Sequence, residues 1–207
     1  MNQDSPIDTK VQSLRSRIKK ATSDAILDAA EQVAAEAGLS ASLVAVAERA
    51  GVAVGTIYNH FRDRDELFRE LFARRRNEIM SAVDDELKRV AGAPFQEQLT
   101  AFVSVVLQQF DHRRVFVRIA LEADHCRIAP DEPSRARAAM QQVQKRAARV
   151  IRAGMREGAL RPGRESLYAA VLAGALRGIL VAGIDDPRPF VADTEDVVRL
   201  FLHGAGA

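Results

Sequence analysis

Residues 42–67 constrain this chain more than any other stretch: Ser-Leu-Val-Ala-Val-Ala-Glu-Arg-Ala-Gly-Val-Ala-Val-Gly-Thr-Ile-Tyr-Asn-His-Phe-Arg-Asp-Arg-Asp-Glu-Leu. Ser42 is a good N-cap for a short helix ending near Ala50, because its hydroxyl can accept from an otherwise unpaired amide of the first turn. Gly51 stands where a helix ends in a left-handed residue. A second short helix is predicted from about Ala53 to His60. Asp63 and Glu66, three apart, form a capping box that opens a long third helix.

The flanking sequence is helical too. From Arg15 to Gly38 the apolar positions Ile18, Ala25, Ile26, Ala29, Val33 and Ala37 recur at helical steps, with Lys19, Asp24, Asp28, Glu31 and Glu36 on the polar side. The helix opened by Asp63 runs through Leu67, Leu71, Met80, Val83 and Leu87 to about Val90, where Gly92 and Pro94 close it. Further helices are expected over roughly 95–110, 114–127, 134–157, 165–184 and 194–203. Loops are expected at 128–133, 158–163 and 185–189. The expectation is an all-α protein of about nine helices, with a three-helix N-terminal domain and a helical C-terminal one. Its boundaries are a mobile tail over 1–14, a first domain over 15–64 and a second over 65–207. A hydrophobic fraction of 47% over 207 residues is enough to bury a core.

Two short helices joined by a glycine turn form the unit that presents a helix to the major groove of DNA. In the helix after Gly51, Val52 and Ile57 can face inward with Phe61 anchoring the end. That leaves Ala53, Val54, Gly55, Thr56, Tyr58, Asn59 and His60 outward. Thr56, Tyr58 and His60 can donate to phosphate oxygens, and Asn59 can bond base edges. Gly55 costs about 1 kcal/mol in a helix relative to Ala, which makes sense where backbone must approach another surface. Arg64 sits in the first turn of the long helix. Each residue also has a plain reading: a ring that caps a core, a loop glycine, a solvated charge. Their order and spacing together are the specific signal.

The net charge is only +2, so any basic signal is local. Arg15, Arg17, Lys19 and Lys20 follow Lys10 with no acid among them, an arm that can bind nucleic acid or be a solvated terminus.

In this order the residues resemble the TetR family of bacterial transcriptional repressors. The resemblance rests on Ile26-Leu-Asp-Ala-Ala30, Gly38, Ser42, Val46-Ala47, Ala50-Gly-Val52, Gly55-Thr-Ile-Tyr58, His60-Phe61, Arg64 and Glu66-Leu67, and covers about residues 18–70. It implies a homodimer that places two recognition helices on a palindromic operator and releases it when a small-molecule effector binds the C-terminal helices. On this reading Arg15, Arg17, Lys19, Lys20, Ser42, Val54, Gly55, Thr56, Tyr58, Asn59, His60 and Arg64 face DNA. The chain departs from the family pattern at Ala53, where Ser is frequent, at Val54, where a basic residue is common, and at Arg64, which is usually Lys. The first two leave the tip of the recognition helix apolar and put the operator sequence in doubt.

Residues 167–184 suit the dimer-forming role that the resemblance implies. The interface is expected at Leu172, Leu176, Ile179, Leu180, Val198, Phe201 and Leu202, although an intramolecular core would use the same residues. An apolar effector pocket is expected among Phe102, Val106, Phe110, Phe116, Ile119, Met140 and Tyr168, though such stripes also build simple core. His112, His125 and Cys126 invite a metal or redox reading, but adjacent residues of a helix point apart and share a metal poorly, so no metal or other cofactor is expected. No phosphate loop, HExxH or nucleophile elbow is present, and no enzyme is expected. A lone cysteine, no signal peptide and no long uninterrupted apolar run point to a soluble cytoplasmic protein without a membrane partner. The alternative is a helical scaffold protein whose helix-turn-helix no longer reads DNA.

Overall fold

The computed structural model describes residues 6–125 and 135–205. Nine α-helices lie among them: α1 (Pro6–Ala37), α2 (Leu43–Ala50), α3 (Val54–Tyr58), α4 (Arg64–Arg89), α5 (Phe95–His112), α6 (Arg114–His125), α7 (Arg135–Arg156), α8 (Glu165–Gly183) and α9 (Thr194–Ala205). Cys126, the 128–133 loop and Ser134, at the start of the helix expected over 134–157, fall outside the described residues, as does the side chain of His125. The chain divides into two compact units, Met1–Ala73 and Arg74–Ala207. That division falls inside α4 rather than at its start, the boundary expected from sequence. The first turns of α4, with buried Leu67, Phe68, Leu71 and Phe72, go with the first unit.

In the first unit, α1 starts at Pro6 and covers residues assigned to a mobile tail from sequence. Proline is well placed there, since a first-turn amide has no partner to lose, and no glycine follows until Gly38. The buried face of α1 is Ile26, Leu27, Ala29, Ala30, Val33 and Ala34. Ile18, Ala25 and Ala37, expected on that face, are exposed: the first two precede the first buried position, Ile26, and Ala37 follows the last, Ala34, at the helix end. Val46 and Ala47 of α2, Ile57 of α3 and Phe61 complete this small core.

In the second unit, α7 and α8 pack along each other, and α5 packs against α7 and α9. Leu99, Phe102, Val106 and Leu107 of α5 meet a core that includes Val143, Ala147 and Ile151 of α7. Gly154 permits the close approach of α7, since a Cβ there would fall 2.7 Å from the Phe95 ring. Asp111 at the end of α5 accepts from the amides of Phe190 (2.8 Å) and Val191 (2.9 Å), pinning the α8–α9 connection.

Among the described residues only α8 is long and apolar enough to cross a membrane, by length and composition alone. Its apolar residues are split between two faces. Leu172, Ala173, Leu176 and Leu180 are buried within the chain, whereas Leu167, Val171 and Val181 are exposed.

Candidate nucleic-acid interface

The segment read first from sequence builds its turns as its residues dictate. The Ser42 hydroxyl oxygen accepts from the Ala45 amide at 3.1 Å. Gly51 takes φ +67°, a left-handed conformation that costs glycine nothing, and its amide closes on the Ala47 and Glu48 carbonyls. Asp63 Oδ1 accepts from the Glu66 amide at 2.7 Å, and the Glu66 carboxylate reaches back to the Arg62 amide. The hydrogen bond from Glu66, helped by Arg62, holds the Asp63 carboxyl below its ordinary range.

Helix α3 is one short turn and a half, Val54–Tyr58, prolonged by turns in which the His60 and Phe61 amides both donate to the Ile57 carbonyl. Ile57 and Phe61 are its anchors, both buried. Ala53 precedes the helix with no side-chain cap, as the missing serine implies. Gly55, Tyr58 and Asn59 are exposed, and Val54, Thr56 and His60 are half-exposed. Tyr58 shows 55% of its surface, so its ring does not cap the core. A Cβ at Gly55 would meet nothing within 4 Å and its φ is not positive, so nothing in the fold of this chain requires glycine there.

Arg64 is anchored within the fold. Its Nε donates to the Ala41 carbonyl at 2.9 Å and its guanidinium lies 4.9 Å from the centre of the Phe68 ring. It ties the start of α4 to the α1–α2 connection, because that carbonyl offers a fixed acceptor that solvent does not. The exposed cation at this corner is Arg62, which sequence reasoning passed over and which is held by Asp63 at 3.0 Å. Its signal was its position, just beyond the end of α3. Arg15, Arg17, Lys19 and Lys20 are exposed on the first half of α1, among Leu14 and Ile18, so they stand on a helix rather than an extended arm.

Residues 26–71 match the family model described as bacterial regulatory proteins, tetR family. A curated relative, the fatty acid metabolism regulator protein of Bacillus subtilis, is 35% identical over 80 residues. This match takes in 38% of the chain and 40% of the relative. Over residues 26–71 the chain carries the TetR-family motif. Solved TetR-like folds extend the likeness beyond the first unit. The regulator FadR from Bacillus subtilis, solved in complex with stearoyl-CoA, superposes with a TM-score of 0.72 at 20% identity, covering 87% of this chain and 97% of that one. A TetR-family regulator from Mesorhizobium loti gives 0.74 at 19% identity over 91% and 98%.

The residues expected at the dimer interface and effector pocket are distributed differently in the second unit. Leu172, Leu176, Leu180, Val198 and Phe201 are buried within the chain, and Ile179 and Leu202 are half-buried. In α8, Leu172, Leu176 and Leu180 turn to the intramolecular core with Ala169 and Ala173, and Leu167, Val171 and Val181 are left outside with Gly174 and Gly178. Of the expected pocket, Phe110, Phe116 and Met140 line one apolar cavity with Ile79, Met80, Val117, Val143 and Leu180. Phe102, Val106 and Ile119 are buried in core away from that wall, and Tyr168 sits edge-on to Phe201 with ring centres 6.3 Å apart. Among the described residues no group of His, Cys, Asp and Glu could hold a metal ion.

Proposed function

We propose that the chain is a ligand-responsive transcriptional regulator, a repressor that binds a palindromic operator as a homodimer. The observation that carries this reading is the exposed row on α3. Thr56, Tyr58, Asn59 and His60 offer donors beside a glycine whose open side lets a backbone approach, and Ile57 and Phe61 fix the row from behind. Thr56, Tyr58 and His60 hold phosphates, while Val54, Gly55 and Asn59 meet base edges, the valine against a thymine methyl. The Ser42 hydroxyl, whose oxygen already accepts, still has a proton to donate to a phosphate. Arg62 replaces Arg64 as the cation at this corner. Arg15, Arg17, Lys19 and Lys20 add backbone contacts.

The dimer forms on the outer face of α8. Leu167, Val171, Gly174, Gly178 and Val181 follow one another at alternating steps of four and three, the spacing of a helix-pairing seam, and all are exposed. Leu200 of α9, 73% exposed, adds to that face. This cover would account for the apolar outer face of α8 in a regulator that works in the cytoplasm. Two such protomers set their recognition helices one helical turn apart, about 34 Å.

An effector bound in the second unit changes the dimer by preferring one of two arrangements. Helix α4, whose first turns belong to one unit and the remainder to the other, carries the change. The relatives point to acyl-CoA thioesters as an effector class. The scaffold alternative, which the apolar Ala53 and Val54 would suit, is not favoured, because the matched family and the curated relative are regulatory proteins. The same relatives are regulators, and an enzyme is not proposed.

Fluorescence anisotropy with a duplex carrying an inverted repeat from the region upstream of the gene tests the reading. Tyr58→Ala weakens binding without dissociating the dimer, and affinity falls steeply with salt as phosphates shed counterions. Affinity unchanged in Tyr58→Ala sinks the assigned face.

A further inference from the structure

Arg64 is the first residue of α4, and the acceptor of its Nε is the Ala41 carbonyl, 2.9 Å away. Its guanidinium carbon lies over the Phe68 ring, 4.9 Å from the centre. Both partners are buried, Ala41 at 1% exposure and Phe68 at 5%. The Ala41 carbonyl stands outside the ladder of α2, where the Val46 amide donates to the Ser42 carbonyl. A buried carbonyl left out of a ladder needs a donor from elsewhere, and Arg64 supplies it. A guanidinium can donate sideways through Nε while its flat face covers a ring. An ammonium has neither the fixed fork nor the flat face.

Ala41 precedes the Ser42 cap of α2, and Arg64 follows Asp63, which caps α4. The bond between them spans 23 positions and closes a loop that contains α2, the Gly51 turn and α3. These elements carry the row proposed to face DNA. Helix α3, with five residues and no side-chain cap, is too short to hold its own orientation. Ile57 and Phe61 anchor it from behind. The closure adds what they do not: it fixes Ser42, at one end of the loop, relative to Tyr58, Asn59 and His60, near the other. The other polar tie of α2, from Arg49 to Glu36, joins side chains 38% and 64% exposed and holds little.

We infer that Arg64 is a positioning residue for operator recognition. It acts through the Ala41 carbonyl to hold α2 and α3 in register, and it does not neutralise a phosphate. This rests on the DNA-binding reading above and deepens it.

Anisotropy titrations of the full-length protein with the operator duplex, repeated over a range of salt, test it on Arg64→Lys, Arg64→Gln and Arg62→Gln. Each phosphate neutralised contributes about 0.9 to the slope of log affinity against log salt. Both Arg64 variants should bind on the order of tenfold more weakly than the parent, with the parent's slope, although lysine keeps the charge. Arg62→Gln should instead lower the slope by about one. Amide exchange in the free proteins is the second measurement. Both Arg64 variants should exchange about tenfold faster over residues 43–61 and at the parent's rate in α5 and α7–α9. Arg64→Lys binding like the parent, or Arg64→Gln lowering the salt slope, makes Arg64 a phosphate contact and overturns the proposal. Unchanged exchange over residues 43–61 overturns it as well. A parent that binds no operator defeats the regulator reading instead, and exchange then decides by itself whether Arg64 holds α2 and α3.

Discussion

Arg113 Nη2 lies 3.0 Å from Glu78 Oε2, so the junction between α5 and α6 is fastened to the second half of α4. Glu78 also accepts from Arg75 at 2.9 Å and Arg74 at 3.2 Å, one carboxylate serving three guanidiniums. The next residue, Arg114, turns to the other side. It pairs with Asp111, stacks 4.0 Å from the centre of Phe190 and donates to carbonyls of the α8–α9 connection, including that of Arg188 at 2.7 Å. Two consecutive arginines thus join α4 to the helices that carry the proposed dimer face. Replacing Glu78 by Gln leaves partly buried cations without their counter-charge. It should cost about 1–3 kcal/mol, since a lost partner leaves desolvated groups unpaired. Urea denaturation measures this, and a change under about 0.5 kcal/mol, the scatter of ordinary surface substitutions, contradicts the assignment.

The same carboxylates set an acid limit. Burial alone would push the Asp111 carboxyl up, but the Val191 and Phe190 amides and Arg114 outweigh it and hold it below the ordinary carboxylate range. Burial also opposes ionisation of Glu78, and Arg75, Arg113 and Arg74 overcome it. Both groups therefore stay ionised in the fold at a pH where the unfolded chain has begun to take up protons. Their contribution is complete above the unfolded pKa values of about 4 and is lost as pH falls through the lower folded values. Stability should fall with acidity below about pH 5, and Asp111→Asn should flatten that slope while lowering stability at neutral pH. Thermal melts from pH 7 to pH 3 check it; an unchanged slope in the variant refutes the role.

Gly55 separates folding from recognition. Nothing lies within 4 Å of where its Cβ would be, so Gly55→Ala should leave the free protein as stable or up to about 1 kcal/mol more stable, through helix propensity. Operator affinity should fall about tenfold or more if the glycine admits a phosphate or base edge. Melting temperature and anisotropy together decide it, and a variant that binds as well as the parent removes Gly55 from the interface.

What the sequence made legible was local. The Ser42 cap, the left-handed Gly51 and the Asp63–Glu66 capping pair each depend on neighbours a few residues away, and each forms. Arg64 could not be placed the same way, because its acceptor, the Ala41 carbonyl, stands 23 positions earlier and enters only when α1 and α2 pack. Helix α8 defeated pattern reading for a different reason. Both its faces are apolar, and hydrophobicity cannot say which of two apolar stripes turns inward. Leu172, Leu176 and Leu180 turned in, leaving Leu167, Val171, Val181 and the glycines between them outside. The cavity was half legible: aromatic residues at helical spacing indicated Phe110 and Phe116, but Ile79, Met80 and Val143 join them only when α4 and α7 pack.

Two glycines test the placement of that seam against each other. Gly154 lies under the Phe95 ring, where a Cβ would sit 2.7 Å from its edge, and Gly154→Ala should destabilise the protein by about 1–3 kcal/mol through overpacking. Gly178 has nothing within 4 Å of its would-be Cβ and stands between exposed Val171 and Val181. Gly178→Leu should therefore leave the helical content and the fold of each protomer intact. It should prevent the close helix approach that the seam needs, so sedimentation at micromolar concentration would show a monomer where the parent is a dimer. Operator affinity would drop with it, since each protomer would then hold a single half-site. A Gly178→Leu protein that remains dimeric would place the interface elsewhere, and the exposed Leu167, Val171 and Val181 would then need another cover.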